Sequence, residues 1–155
     1  MQGPWKTMSW EELLARRGSE LGVSDWIAIS QARINAFADV TDDHYFLHVD
    51  PERAAMPPFS GTIAHGFLTL SLLAPMGYQV CPYVDGARYP LNYGFNRVRF
   101  VSTVPVGSRV RGRFTLREAE ILGANQRQVV YDATVEIEGS TRPALVAEWI
   151  MRCVM

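Results

Sequence analysis

Residues 63–78, IAHGFLTLSLLAPMGY, constrain the fold of this chain more than any other stretch. They are apolar on nearly every helical face yet fall short of the roughly 20 residues that cross a bilayer. The simplest structure for them is a central helix buried on all sides, and a helix buried on all sides needs something to wrap it. Pro75 removes one backbone donor and crowds the turn before it, so the helix is expected to end or kink there, with a boundary near Ala74.

The C-terminal half supplies the wrapping. Val110, Gly112, Phe114 and Leu116 alternate with Arg109, Arg111, Arg113, Thr115 and Arg117, the period of a strand with one dry and one wet face. Val129, Tyr131, Ala133, Val135 and Ile137 repeat the pattern. Leu145, Ala147, Trp149, Met151 and Cys153 repeat it again after a turn at 138–143, and residues 92–102 add a further strand. Short turns between consecutive strands make antiparallel hairpins. One antiparallel sheet curled about an apolar helix is an α+β architecture. The arginines on the wet face read as solvated charge or, alternatively, as a phosphate contact.

Upstream, Ser9 and Glu12 form a capping box and Met8 with Leu13 a hydrophobic staple, which predicts a helix over 10–17 closed by Gly18. Residues 1–19 are thus a helical extension on a single domain spanning 1–155, a length suited to one core. A short strand is expected over 26–29. Ser30 then caps a helix that places Ile34, Phe37 and Val40 on its apolar face. Pro51 suits the first turn of another short helix.

Residues 41–66, TDDHYFLHVDPERAAMPPFSGTIAHG, hold all three histidines of the chain together with Asp42, Asp43 and Asp50. Titratable groups crowded into one loop-rich stretch of an otherwise regular chain mark a site on a rigid frame. Asp43 and His48 could share a water as acid and base, taking a proton from water and returning one to carbon. Equally, Asp43 could cap a helix and His48 be a satisfied loop histidine. His44 and His48 have the i, i+4 spacing of two metal ligands, with Asp42, Asp43 or Asp50 as a third. No glutamate follows His44 in the HExxH manner and Pro51 interrupts the helix, so no metal is expected. His65 and Gly66 fall at the N-terminus of the central helix. There the Gly66 N–H could polarise a substrate carbonyl, or the glycine could serve tight packing against a strand.

Charge and cysteine usage narrow the function class. A net charge of −1 creates no basic field for nucleic acid or an anionic membrane. Cys81 and Cys153 lack the spacing of a zinc site or a disulfide scaffold, and the first residues lack a signal-peptide pattern, so a cytoplasmic protein is expected. Ser71 has no GxSxG context, which leaves nucleophilic catalysis without support.

The order FADVTDDHYFLHVDPERA, PFSGTIAHGFLTLSLL, NYGFNRVRF, VPVGSRV and AEW resembles the MaoC-like dehydratase family, in particular its nodulation-protein-N-like and (R)-specific enoyl-CoA hydratase branch, over residues 20–153. The resemblance implies a hotdog fold, a homodimer with substrate tunnels at its interface, and no cofactor beyond the coenzyme A or acyl-carrier-protein thioester that carries the substrate. It further implies (R)-specific hydration of trans-2-enoyl thioesters, or the reverse dehydration, as a step of fatty acid metabolism. Asp43 and His48 would then activate water and the Gly66 N–H would hold the thioester carbonyl, with His65, Tyr45 and Phe46 around the substrate. Relatives usually read TGD where this chain has Thr41-Asp42-Asp43, commonly read DHQWIH where it has Tyr45 and Phe46, and sometimes carry a serine at the position of Ala74. Two other functions fit the same frame. One is an acyl-thioester-binding protein without catalysis, and the other a thioesterase, which usually needs a carboxylate on the central helix that residues 67–78 do not contain.

Overall fold

A computed structural model of the protein describes residues 6–155, so the first five residues of the expected extension lie outside it. The described residues begin with a two-residue strand β1 (Thr7–Met8) and the helix α1 (Trp10–Ala15). The capping box forms as expected: the Glu12 N–H donates to the Ser9 hydroxyl, and the Ser9 N–H donates to the Glu12 carboxylate. Leu13 is fully buried and Met8 packs on the same core. Two short strands follow, β2 (Glu20–Val23) and β3 (Ile27–Ala28), then the helix α2 (Gln31–Thr41), capped by the Ser30 hydroxyl.

The inward face of α2 corrects one expectation. Ile34 and Ala38 are fully buried, one turn apart, whereas Val40 is 79% exposed. Two single-turn helices come next, α3 (Phe46–Val49) and α4 (Pro51–Ala54). Pro51 occupies the first turn of α4, whose Arg53 N–H is capped by the Asp50 carboxylate at 3.0 Å.

The central helix runs as α5 (Gly66–Ser71) and α6 (Leu73–Val80), interrupted at Leu72. Three residues expected at its start are extended instead, with Ile63 bridged to Pro105. Pro75 cannot donate to the Ser71 carbonyl one turn back, so the ladder breaks there and the helix resumes to Val80 rather than stopping near Ala74. A second correction concerns burial. Leu68, Leu72, Leu73, Met76 and Gly77 are buried, but Phe67, Ser71, Pro75 and Tyr78 form an exposed stripe at helical spacing.

After a short strand β4 (Tyr83–Val84), which pairs in parallel with β1, come β5 (Tyr89–Phe100), β6 (Arg109–Gly123), β7 (Gln126–Ile137) and β8 (Leu145–Val154). The main sheet is antiparallel in the order β2-β6-β7-β8-β5, with β3 also on β6. Its dry face carries the residues that alternation selects: Val110, Phe114, Leu116, Val129, Tyr131, Val135, Leu145 and Trp149 are all buried. They close on Leu68, Leu72, Leu73 and Met76 of the central helix. The approach is close enough that a Cβ at Gly77 would lie 2.8 Å from the Trp149 ring, so the glycine is what lets helix and sheet meet.

The wet face is a ladder of ion pairs. Arg111 and Arg113 both reach Glu136 (2.7 and 2.8 Å), Arg113 also reaches Glu20 (2.7 Å), Arg109 pairs with Glu138, and Arg117 reaches Asp132 at 3.1 Å. These arginines are therefore partnered on a solvated face, and exposed pairs of this kind each contribute only about 0.2–1 kcal/mol. The sheet wrapped on a central helix is the hotdog arrangement. Among the described residues no helix is long and apolar enough to cross a membrane.

Candidate active site

The N-terminal end of α5 gathers residues from four segments. Helix α2 ends at Asp42, which adopts φ 58° and ψ 18° in the left-handed region as the helix C-cap. A β-carbon resists that conformation, though aspartate tolerates it better than most residues. The turn sets Asp43 free of the helix, with its side chain exposed. Asp43 is thus not a cap; its neighbour is. His44 turns outward and meets Asp39 at 2.9 Å, and that hydrogen bond raises its pKa above the ordinary histidine value.

His48 sits in the single turn α3 and is half-buried. Its Nδ1–H donates to the Ile63 carbonyl at 2.8 Å, which leaves Nε2 as a lone pair able to accept a proton. The Ile63 N–H in turn donates to the Leu47 carbonyl, tying α3 to the strand-like segment before α5. His65 precedes α5 and is only 2% exposed. Its Nε2–H donates to the Asp43 carbonyl at 2.9 Å, and its ring stacks on that of His48 with centroids 3.8 Å apart. Asp43, His48 and His65 each offer a ligand atom within 4.8 Å of the others. Among the described residues these three, rather than His44 with His48, are the group that could hold a metal ion, because His44 lies outside α3 and points to Asp39.

One recess joins this cluster to the helix end. His48, Gly66 and Thr69 line it together with Phe100, the Val101–Thr103 segment and Ala144. Gly66 is the first residue of α5, so helix geometry leaves its N–H without an intrahelical partner. A Cβ on Gly66 would stand 3.1 Å from the Phe100 ring. The glycine therefore serves close packing against Phe100 of β5.

Of the residues expected around a substrate, Tyr45 is exposed near His48, with ring centroids 6.3 Å apart. Phe46 lies under the Arg53 guanidinium, 4.5 Å from its ring centroid. His65 is 2% exposed, does not line the recess, and stacks on His48. Two groups escaped sequence reasoning. The Ile63 carbonyl that sets the His48 tautomer carries no side-chain signal. Phe100 was findable, since it shares the inward phase of strand β5 with Val98.

Comparison with known proteins gives the chain its family. The profile described as "MaoC like domain" matches residues 13–138. The chain is 54% identical to Nodulation protein N of Rhizobium leguminosarum bv. viciae over 144 residues, covering 92% of this chain and 89% of that one. It is 51% identical to 3-hydroxyacyl-thioester dehydratase Z of Mycobacterium tuberculosis (strain ATCC 25618 / H37Rv) over 143 residues, covering 92% and 94%. Among solved structures, that of the monoamine oxidase regulatory protein from Archaeoglobus fulgius superposes with a TM-score of 0.81 at 22% identity, covering 96% of this chain and 95% of the other, a likeness of fold. The chain belongs to the MaoC-like dehydratase family.

Proposed function

We propose that the protein hydrates trans-2-enoyl thioesters to (R)-3-hydroxyacyl thioesters, or catalyses the reverse dehydration, as a hydro-lyase acting without a metal or bound cofactor. The observation that carries this is the meeting of the His48 base and the Gly66 N–H in one recess, with Asp43 beside His48. The 51% identity to a 3-hydroxyacyl-thioester dehydratase supports the same chemistry.

Each group has one task. A water held between the Asp43 carboxylate and His48 Nε2 loses a proton to the imidazole. Its oxygen bonds to C3, the C2–C3 π electrons shift toward the thioester carbonyl, and the charge on that oxygen is held by the Gly66 N–H. The pair then returns a proton to C2 and regains its starting state, so one water is added and nothing is oxidised or reduced. Dehydration is the same path reversed.

The homodimer expected from the resemblance belongs to this proposal. Strand β5 is an edge of the sheet, and its exposed Phe100 meets the exposed Phe67 of the central helix with ring centroids 5.9 Å apart. A second copy laid on that edge would bury the apolar face the single chain leaves open and wall the recess at Phe67 and Phe100. Sedimentation equilibrium at micromolar concentration should return twice the chain mass, and a monomer would contradict the dimer.

A panel of trans-2-enoyl-CoA thioesters from short to long chain tests the reaction. Loss of enoyl absorbance is expected for at least one length, without thiol release. Thiol release with the double bond intact would instead indicate a thioesterase, and tight binding without either change would indicate an acyl-binding protein.

A further inference from the structure

His65 is more constrained than a residue that merely fills space. Its ring packs on two others, with His48 stacked on it at 3.8 Å and an interplanar angle of 26°, and Phe37 tilted against it at 5.0 Å and 52°. Its carbonyl accepts from the Thr69 N–H in the first turn of α5, which anchors its main chain. Because the partner of Nε2 is a carbonyl, Nε2 carries the hydrogen and Nδ1 is a bare lone pair. That Nδ1 is buried and has no hydrogen-bond partner. An unpaired buried acceptor is a cost that an apolar ring of the same shape would avoid.

The two contacts that offset this cost go to the two members of the proposed water-activating pair. The Nε2–H holds the main chain of Asp43, and the ring face holds the plane of His48. The first is needed because of Asp42: its left-handed conformation is the joint from which Asp43 projects, and a joint strained by a β-carbon relaxes when it is untied. We propose that His65 is a positioning residue, a buried brace that sets Asp43 and His48 against one another and holds the strained Asp42 turn closed. This inference rests on the reaction proposed above for its catalytic consequence, and on geometry alone for the brace.

Two variants separate the two contacts. His65→Phe keeps the ring face and removes the donor, while His65→Gln keeps an N–H near the position of Nε2 and removes the ring. With the enoyl-CoA that the wild type turns over best, folded His65→Phe should lose about 100-fold in kcat with KM changed less than about threefold, and His65→Gln about tenfold, the scale expected when a catalytic group is misplaced by an ångström or less. Adding Asp42→Gly, which relaxes the joint, should recover about tenfold of the His65→Phe loss while changing the wild type less than about twofold. A residue with only a structural role would lower thermal stability and leave kcat per folded molecule unchanged.

A spectroscopic arm is independent of turnover. Nitrogen–proton correlation spectra of the wild-type imidazoles should show His65 protonated at Nε2 and His48 at Nδ1, opposite tautomers in stacked rings. Wild-type kcat in folded His65→Phe, or a His65 proton on Nδ1, overturns the proposal. If His65→Phe does not fold, His65→Gln and the tautomer spectrum decide it. A wild type that turns over no enoyl thioester, while showing the expected tautomers, refutes the reaction and leaves the brace standing.

Discussion

Along α6 the central helix meets the sheet through rings set against small residues: Trp149 on Gly77, with Phe114 and Met76 fully buried beside them. At the other end of the same helix, Asp43 is exposed, His48 half-buried, and His65 buried with one nitrogen unpaired. The first region gathers apolar area and contributes stability, since each large side chain removed from water is worth about 1.5–3 kcal/mol. The second holds polar groups in costly places, an aspartate with positive φ and an orphaned imidazole nitrogen, and is held together by a few hydrogen bonds to main-chain carbonyls. The contrast teaches that stability and chemistry are separable in this molecule. The helix–sheet seam should tolerate loss of activity at the cluster without noticing, and the reverse.

The largest expected effect tests that separation from the cluster side. Asp43→Asn and His48→Ala should each lower hydration by about 10³-fold or more, within the range of general acid–base catalysis. Thermal midpoints should stay within a few degrees of wild type, because neither side chain belongs to the core. From the seam side, Phe114→Ala should cost about 3–5 kcal/mol in chemical denaturation, since the ring is fully buried and leaves a cavity. Its kcat per folded molecule should remain that of the wild type. A loss of kcat at low temperature in a folded Phe114→Ala protein would break the comparison.

Gly66 sits on the boundary and should show both effects in moderation. Gly66→Ala pushes a methyl to 3.1 Å from Phe100, a half-exposed ring that can give way. A stability cost of about 1 kcal/mol with a roughly tenfold loss of activity is expected, because the N–H survives while the wall of the recess moves.

How much of this was legible in the sequence follows from the range of the contacts. The alternation through Val110, Phe114 and Leu116, the Ser9–Glu12 box and the Ser30 cap are local patterns, and the structure reproduces them. The burial of α5 and α6 was legible only in part. Apolarity at Phe67 and Tyr78 predicts burial, yet both side chains are exposed on this chain. Val40 misled because it lies two positions past Ala38, which on an α-helix puts it nearly opposite the buried Ile34–Ala38 face. Within the cluster, Asp43 and His48 are five positions apart and could be paired by spacing, whereas His65 reaches them across the loop of α4 and residues 55–62. No periodicity spans that loop, so its stacking on His48 and its tie to Asp43 became visible only in three dimensions.

Two smaller effects sharpen the comparison. Cys81 and Cys153 lie on the seam side, where burial pushes both thiols up, so neither should react with a disulfide reagent near neutral pH until the protein unfolds. On the cluster side, the hydrogen bond to Asp39 raises the His44 pKa above its unfolded value. A raised folded-state pKa gives stability that is complete below the unfolded value and is lost as pH rises through the folded one. The stability difference between wild type and His44→Ala should therefore shrink over that interval, a small effect for an exposed pair, read by denaturation at a series of pH values.

The central claim is that Asp43 and His48 activate one water for addition at C3. Hydration of crotonyl-CoA in water labelled with heavy oxygen tests it most directly. The wild type should place solvent oxygen on C3 of 3-hydroxybutyryl-CoA, and folded Asp43→Asn and His48→Ala should place almost none. Label incorporation at the wild-type rate in either folded variant, or none by the wild type with any enoyl thioester, would contradict it.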